Sequence, residues 1–437
     1  MIIPQTQSRK KRVLPKEASG IRALLLRLGP GLITGASDDD PSGIATYSQA
    51  GAQFGFGTLW LALFSYPLMC AIQEISARVG RVTGAGIAAS IRKHYPRPVV
   101  FGIVVLVLIA NIFNLGADIG AMGESAHILV GGPAWMYLLA LGLLSLALQI
   151  FIPYKRYVKY LKWLTLSLFA YIITAFVVHL SWLKVLHDTF LPPFSSFGLD
   201  YFTVAIAFLG TTISPYLFFW QASEEAEDLR DNAAERSLCE APEQAPEQLH
   251  RIKIDTYLGM AFSNLVAFFI VLTTAATLHA HGDLDIQTAV QAAKALAPLA
   301  GRFAFFLFAS GIIGTGLLAI PVLAGSAAYA LGEAMRWRVS LEAKPRKARK
   351  FYATIAVATL IGLAMNFAHF NPMKALFWSA VVNGVAAVPI MLMMMLLTRR
   401  RKVMGEFTLP LYLEIVGWVA TLVMFFASVG MFATIRK

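Results

Sequence analysis

Residues 35–43 read GASDDDPSG, and they interrupt what is otherwise a membrane-spanning segment. The flanks, LLLRLGPGLIT before and IATYSQAGAQFGFGTLWLALFSY after, have the apolar composition of two halves of a transmembrane helix. Three consecutive carboxylates, Asp38, Asp39 and Asp40, are costly in hydrocarbon, where such groups usually face a transport pathway or a partner. Pro41 removes a backbone donor and clashes with the preceding turn. The stretch therefore predicts a polar break in the middle of the first span.

The rest of the chain has the composition of a polytopic membrane protein. Its 437 residues are 57% hydrophobic and 14% charged, and the mean hydropathy is +0.63. Soluble globular domains are about 45–50% apolar and about 25% charged. Apolar segments close to the ~20 residues that cross a bilayer predict eleven spans, at 30–54, 57–79, 98–123, 133–153, 161–183, 200–222, 255–278, 302–331, 351–369, 373–397 and 410–433. We therefore expect an all-α protein embedded in the lipid bilayer.

The lysines and arginines are concentrated in alternate connections between these spans. They lie before span 1 and after spans 2, 4, 8 and 10, whereas the other loops are poor in cations. This positive-inside pattern predicts a cytoplasmic N-terminus and an external C-terminus, in a bacterial-type inner membrane. It also accounts for the net charge of +12 without a nucleic-acid partner.

The predicted organisation has four parts. Residues 1–29 form a basic cytoplasmic segment, 30–222 form spans 1–6, 223–254 form an acidic cytoplasmic loop, and 255–437 form spans 7–11. The acidic loop departs from the positive-inside pattern. Its composition fits either a solvated linker or a vestibule that attracts cations, and both interpretations stay open here.

A second break of the same kind lies in span 6, in GTTISPYLFFWQ (residues 210–221). The two breaks are five spans apart, and because five is odd, the two halves have opposite orientations in the membrane. Non-helical backbone at membrane depth survives only where it is buried in protein or lines a cavity. Paired interrupted spans in inverted halves indicate the central site of a transporter, with Pro41 and Pro215 as hinges. The alternative is two ordinary proline kinks in a helical bundle.

The residues at the two breaks offer only oxygen donors. We expect Asp40 at the C-terminal end of the first half-helix, where the negative end of the dipole favours a bound cation. Asp38 and Asp39 either share that site or cap and pair within the protein. Oxygen-only sites suit hard cations such as Mg²⁺, Mn²⁺, Ca²⁺ or Na⁺. The predicted metal set is completed by Gly43, Thr211 and Ser214, and the predicted pathway by Ser42, Thr212, Tyr216 and Gln221.

Two further polar residues lie inside apolar spans. Asp118 in span 3 either relays protons or pairs structurally, and Asn383 in span 10 either bonds between helices or reaches the cavity. The sequence contains no nucleophile–base pair and no metal-hydrolase motif. We therefore predict that the chain is not an enzyme and has no resident cofactor.

Several segments resemble the NRAMP (natural resistance-associated macrophage protein) family of divalent-metal transporters. The matching pieces are Gly29-Pro30-Gly31, Asp40-Pro41, QAGAQFG (49–55), EISARVGRVTG (74–84), TLHAHGDLDIQTA (277–289) and VMGEF (403–407). The resemblance covers essentially the whole chain. It implies a LeuT-like fold of two inverted five-helix repeats plus an eleventh span, with helices 1 and 6 unwound in mid-membrane.

The resemblance also marks where this chain departs from the family's ligands. The family signature Asp-Pro-Gly-Asn reads DPSG at 40–43, so Gly43 stands in place of the asparagine ligand. The signature Met-Pro-His-Asn reads SPYL at 214–217, so a serine replaces the soft methionine. The span-3 aspartate is kept as Asp118. Three further polar residues of the family are replaced here. Gln221 stands in place of a second histidine, Ala121 in place of a proton-relay glutamate, and Ala380 in place of a span-10 glutamine.

In lacking the methionine, the chain is similar to the family's magnesium-transporting branch, which has weak or absent proton coupling. It diverges further by lacking the asparagine. We therefore expect a monomeric transporter that carries a divalent cation, Mg²⁺ or Mn²⁺ favoured, by alternating access with weak or altered proton coupling. Two alternatives stay open. One is transport of an organic cation or a Na⁺-coupled solute on the same fold, and the other is a non-transporting cation sensor.

Overall fold

A computed structural model describes residues 34–35, 37–153, 164–192, 198–232, 234–368 and 371–435. Within these ranges the regular structure is helical throughout. The long helices are α1 Pro41–Phe54, α2 Leu59–Thr83, α3 Arg97–Val130, α4 Ala134–Phe151, α5 Phe169–Val177, α6 Leu199–Thr212, α7 Pro215–Asp231, α8 Ala245–Thr277, α9 Ala304–Ala334, α10 Arg349–Met365, α11 Pro372–Thr398 and α12 Leu411–Ile435. Shorter helices are Ile87–His94, Trp182–Phe190, Ala289–Ala293, Ala297–Ala300 and Arg401–Met404. The predicted basic segment 1–29 lies outside the described residues.

The helices have the lengths and hydropathy of membrane spans. Nine described stretches are long and apolar enough to cross a bilayer, and a bent helix pair adds a tenth. The stretch Pro41–Thr83 alone covers the second half of predicted span 1 and all of predicted span 2. Gly55 separates these two parts, because its positive φ of 57° ends α1 in a conformation that side-chain-bearing residues rarely adopt. The polytopic prediction is therefore confirmed.

Predicted span 5 differs from the straight segment expected over 161–183. A helical stretch, Leu166–Val177, is followed by a second helix, Trp182–Phe190, at an angle of 120°. The helix ends because Val178 is in an extended conformation, and Ser181 precedes the second helix. The apolar run alone predicts neither the bend nor the second helix.

Both predicted helix breaks are present. Before the first proline, Ser37 and Asp38 are helical, the next two residues are not, and α1 begins at Pro41. In span 6, α6 ends at Thr212 and α7 begins at Pro215. Proline is favoured at the first helical position, because its missing N–H has no partner in the helix there and its φ is already helical. Each proline thus starts a second half-helix and does not kink a continuous one.

The packing of the broken helices repeats between the two halves. The second half of span 1, α1, packs against α8, and the second half of span 6, α7, packs against α2. An inverted repeat that relates spans 1–5 to spans 6–10 matches span 1 with span 6 and span 2 with span 7. The two packing pairs are therefore equivalent to each other. Between the pairs, α3 packs against both α9 and α11. Glycine allows α6 and α11 to approach closely, because a Cβ on Gly210 would overlap the α11 backbone at Ala380 and Gly384.

The acidic segment 223–254 is mostly helical, so the predicted loop is too long. Helix α7 continues to Asp231 and α8 already begins at Ala245. The connection between them is bound to the end of α2, since the N–H groups of Leu238 and Cys239 donate to the carbonyls of Arg81 and Val82 over 3.2 and 3.3 Å. Two carboxyls of α7, Glu225 and Glu227, are buried and have an ion-pair or hydrogen-bond partner. A freely solvated linker is therefore the wrong interpretation for this part of the segment.

Candidate functional site

Four carboxyl groups are buried around the break in span 1. Asp38, Asp39 and Asp40 come from the break itself, and Asp118 comes from α3; each is at most 1% exposed. None of them pairs with a described lysine or arginine. The charges of Asp38 and Asp118 are each close enough to interact with that of Asp40. The region therefore concentrates carboxyl groups without a cationic side chain beside them.

Asp40 is the N-cap of α1. Its Oδ1 accepts hydrogen bonds of 2.7 Å from the N–H of Gly43 and from the hydroxyl of Ser42. This corrects the prediction that Asp40 lies at the C-terminal end of the first half-helix. It lies at the start of the second, where the positive end of the helix dipole and the free N–H groups stabilise its ionised form. Gly43 and Ser42 thus serve Asp40 as capping partners.

Asp38 and Asp39 face a different helix. The hydroxyl of Ser263 in α8 donates to Oδ2 of Asp38 and lies 3.2 Å from Oδ1 of Asp39. The other carboxyl oxygen of each, Asp38 Oδ1 and Asp39 Oδ2, has no hydrogen-bond partner among the described residues. The structure therefore divides the three aspartates between two sets of neighbours. Ser263 was not predicted, since a single serine in an apolar span carries no recognisable signal.

A row of polar side chains on α3 and α11 faces Asp40 from the other side. Asn114 Nδ2 donates to Oδ2 of Asp40 over 2.8 Å and to Oδ2 of Asp118 over 3.4 Å. Asn383 Nδ2 in turn donates to Oδ1 of Asn114 over 3.3 Å. The sequence predicted Asp118 and Asn383 but missed Asn114. The available signal is its position four residues before Asp118, which places both on the same face of a helix.

The hydroxyls of span 6 are used mainly within their own helix. Ser214 donates to the carbonyls of Gly210 and Thr211 over 2.6 and 2.7 Å, and Thr212 donates to Phe208 over 3.2 Å. Ser214 and Thr212, predicted for the metal site and the pathway, thus donate to carbonyls of their own span and not to the aspartates.

Two hydroxyl groups do connect span 6 with span 1. Tyr216 donates to the carbonyl of Ser37 over 3.1 Å, and the hydroxyls of Thr211 and Tyr47 are 2.9 Å apart. Gln221 also reaches span 1, since its Oε1 accepts from the hydroxyl of Thr34 over 2.5 Å. These contacts hold both halves of span 1 against α6 and α7.

A preformed ligand cage is not present around the break. Among the described residues, no three His, Cys, Asp or Glu side chains converge in the manner of a metal site. The polar groups in this region are instead single carboxyls, carboxamides and hydroxyls from several helices, and Asp40 itself accepts from Ser42, Gly43 and Asn114. Such a set fits a hard cation that keeps some of its water, as Mg²⁺ commonly does.

A second group of buried acids lies where α2, α7, α8 and α9 end or begin. Glu225 in α7 accepts from Arg251 over 2.5 Å and lies 3.7 Å from Arg81. Glu227 accepts from Ser340 over 2.6 Å and from Tyr329. These carboxyls belong to the segment predicted as an acidic loop. They have cationic or hydrogen-bonding partners, so the vestibule interpretation does not apply to them.

A cavity of about 500 Å³ opens near the end of α1 that is remote from the break. It is lined by Phe54, His179, Lys184 and His279, among others. None of the predicted site residues lines it. The cavity and the acids at the break are therefore separate features.

Comparison with known proteins identifies the relatives of this chain. The sequence matches the model of the natural resistance-associated macrophage protein-like family over residues 31–434. A divalent metal cation transporter MntH from Verminephrobacter eiseniae is 26% identical over 416 residues, which are 94% of this chain and 89% of that protein. Another MntH, from Chromohalobacter salexigens, is 26% identical over 386 residues, which are 86% of this chain and 84% of that protein.

Solved structures share the fold. The manganese transporter of Eremococcus coleocola, in complex with an aromatic bis-isothiourea compound, has a TM-score of 0.75 at 16% identity, over 97% of this chain and 89% of that one. Mhp1, a nucleobase-cation-symport-1 family transporter, has a TM-score of 0.57 at 13% identity, over 94% of this chain and 92% of that one. The predicted LeuT-like fold is confirmed. The matched family and the relatives named as transporters confirm the prediction that the chain is not an enzyme. With its family model matched from residue 31 to residue 434, the chain belongs to the natural resistance-associated macrophage protein-like family.

Proposed function

We propose that this chain carries a divalent metal cation across the membrane by alternating access, with Mg²⁺ or Mn²⁺ as the favoured ion. One observation carries the proposal: four buried carboxyls, Asp38, Asp39, Asp40 and Asp118, lie at a helix break without a described cationic partner. Ionised groups inside a membrane protein usually mark a substrate or ion pathway. The relatives named as divalent metal cation transporters support the same substrate class.

The donor set favours a hard cation. Serine stands at 214 where the family has methionine, and the described neighbours of Asp40 contribute oxygen and amide groups. A site without sulfur or imidazole discriminates poorly in favour of Fe²⁺ or Mn²⁺ over Mg²⁺. Weak or altered proton coupling forms part of the proposal, because Ala121 and Gln221 replace two titratable residues of the family pattern.

The membrane arrangement is also proposed. The distribution of basic loops supports a bacterial-type inner membrane, a cytoplasmic N-terminus and an external C-terminus. We further propose that the transporter acts as a monomer, since one chain supplies both broken helices and all four carboxyls of the site.

Uptake into proteoliposomes tests the proposed function. The wild type is compared with Asp40→Asn, which keeps a side chain that caps helices about as well as aspartate but removes the charge. Uptake of Mg²⁺ and Mn²⁺ is expected in the wild type and should fall to the level of protein-free vesicles in Asp40→Asn. Asp283→Asn, at a surface carboxyl whose side chain is 42% exposed, is the matched control and should transport normally.

Other outcomes of this experiment separate the alternatives. Equal uptake by wild type and Asp40→Asn would contradict the role of Asp40. Binding of a divalent ion without any uptake would indicate a sensor. Thermal stabilisation by an organic solute and by no divalent ion would indicate a different substrate on the same fold.

A further inference from the structure

We infer that Asn114 replaces the asparagine missing at Gly43, by positioning Asp40, Asp118 and Asn383 as oxygen ligands for the transported cation. The inference rests on the proposed function, since it assigns the residues that hold that ion. Asn114 comes from span 3, so the carboxamide that the family places at the break of span 1 would here be supplied by a neighbouring helix. No sequence motif marks this exchange.

The amide nitrogen of Asn114 links two carboxyls from different helices. A carboxamide NH₂ has two hydrogens, and the structure provides two acceptors for them, Asp40 Oδ2 at 2.8 Å and Asp118 Oδ2 at 3.4 Å. Asn114 is fully buried, so water does not compete for these bonds. One side chain therefore holds two carboxyl groups from different helices close together.

The carbonyl oxygen of Asn114 fixes the orientation of this amide. Oδ1 accepts from Asn383 Nδ2 over 3.3 Å, which leaves only Nδ2 of Asn114 to face the carboxyls. The same bond orients the side chain of Asn383. Because Nδ2 of Asn383 donates to Asn114, Oδ1 of Asn383 remains as an acceptor. Three helices, α1, α3 and α11, are joined in this way through a single carboxamide.

The joined group contains acceptors that lack donors. Asp118 Oδ1 and Asn383 Oδ1 are buried and have no hydrogen-bond partner among the described residues. A buried acceptor without a partner is unfavourable, and two neighbouring carboxyls repel each other when both are ionised. A hard divalent cation relieves both effects at once, because oxygen atoms are its preferred ligands. The group that Asn114 joins thus offers two oxygens without partners, Asp118 Oδ1 and Asn383 Oδ1, together with Asp40 Oδ2, which accepts a single hydrogen bond.

The space around Gly43 admits a side chain, so an asparagine can be placed at this position as a test. A Cβ at Gly43 would lie 3.3 Å from Tyr47 Cε2 and 3.4 Å from Oδ1 of Asp40. These are tight to ordinary contacts that a small shift of the tyrosine ring accommodates. An asparagine at 43 therefore starts next to Asp40, where it can compensate for a carboxamide lost from α3.

Metal-affinity measurements on three variants test the inference, with Mn²⁺ alone and Mg²⁺ alone as probes in detergent. Asn114→Ala should weaken the affinity about 10–100-fold, the usual effect of removing a group that orients metal ligands. Asn111→Ala is the matched control, because Asn111 lies on the same helix but donates to Leu323 and Ser326 of α9; its affinity should stay within about threefold of wild type. The double variant Gly43→Asn/Asn114→Ala should bind the metal at least about tenfold more tightly than Asn114→Ala alone.

The rescue separates ligand positioning from a merely structural role. Equal losses of affinity in Asn111→Ala and Asn114→Ala, or no recovery with Gly43→Asn, would overturn the inference. If Asn114→Ala does not fold, Asn383→Ala removes the unpartnered carboxamide oxygen instead, and an unchanged affinity there would overturn it equally. Failure of the wild type to bind either ion would end the proposed function as well, whereas normal wild-type binding with an unaffected Asn114→Ala would end this inference alone.

Discussion

Two groups of buried acids lie in this molecule, and they differ in their partners. At the break of span 1, Asp38 and Asp40 are held by hydroxyl, amide and carboxamide groups, and no described lysine or arginine pairs with them. At the junction of α2, α7 and α8, Glu225 is paired with Arg251 and lies near Arg81. Burial is almost the same in the two groups. The partner, and not the burial, distinguishes them.

The difference indicates what each group does. A buried ion pair stabilises the particular packing of the helices that supply it, and loss of one partner leaves an uncompensated charge. Buried acids without a cationic side chain are costly inside a membrane protein and usually mark a substrate or ion pathway. The helix-end group thus holds α7 in place, and the group at the break is the one that we propose binds the cation.

The largest expected effect tests the structural group. Glu225→Gln keeps the side-chain volume but removes the charge facing two arginines, which typically costs about 3–5 kcal/mol. We expect the lower end of that range, because Arg81 retains Glu235 as a second partner. Unfolding of the purified protein by titration with a denaturing detergent measures the change.

The control for Glu225→Gln is Glu243→Gln, at an exposed acid of the connection between α7 and α8. It should leave the free energy of unfolding within about 0.5 kcal/mol of wild type. A loss below about 1 kcal/mol for Glu225→Gln would show that the ion pairs do not determine the position of α7.

A smaller effect on stability is expected at the break. Asp38→Asn removes a buried carboxyl that has no cationic partner and keeps an oxygen for the Ser263 hydroxyl. The free energy of unfolding should therefore stay within about 1 kcal/mol of wild type. The affinity for Mn²⁺, measured by calorimetric titration, should fall, since negative charge near Asp40 is lost. A large destabilisation with unchanged affinity would move Asp38 into the structural group.

The smallest effect is expected for an ion pair at the surface. Lys294 and Asp283 are 3.3 Å apart and both are more than 40% exposed. Solvent screens such pairs, and their contribution is about 0–1 kcal/mol. Asp283→Asn should therefore alter neither the free energy of unfolding nor ion uptake by a measurable amount. A clear loss of uptake would show that charges remote from both buried groups contribute to transport.

Much of the fold could be predicted from residues 35–43 and 210–221. Proline next to acidic or hydroxyl residues within an apolar run has few interpretations, so both helix breaks were expected and are present. The site was less predictable. Asn114 and Ser263 are single polar residues in apolar helices, and their importance comes from the helices that pack against them. The length of the loop after α7 was overestimated because buried, paired acids resemble solvated ones in a sequence.

The sequence by itself determined the membrane class, the two broken helices and the family resemblance, because hydropathy, proline and charge act locally along the chain. Only the tertiary structure decided which aspartate faces which helix. Asp40 faces α3 because Asn114 donates to its carboxyl, and Asp38 faces α8 because Ser263 donates to it. Hydrogen bonds between residues tens to hundreds of positions apart depend on how the helices pack.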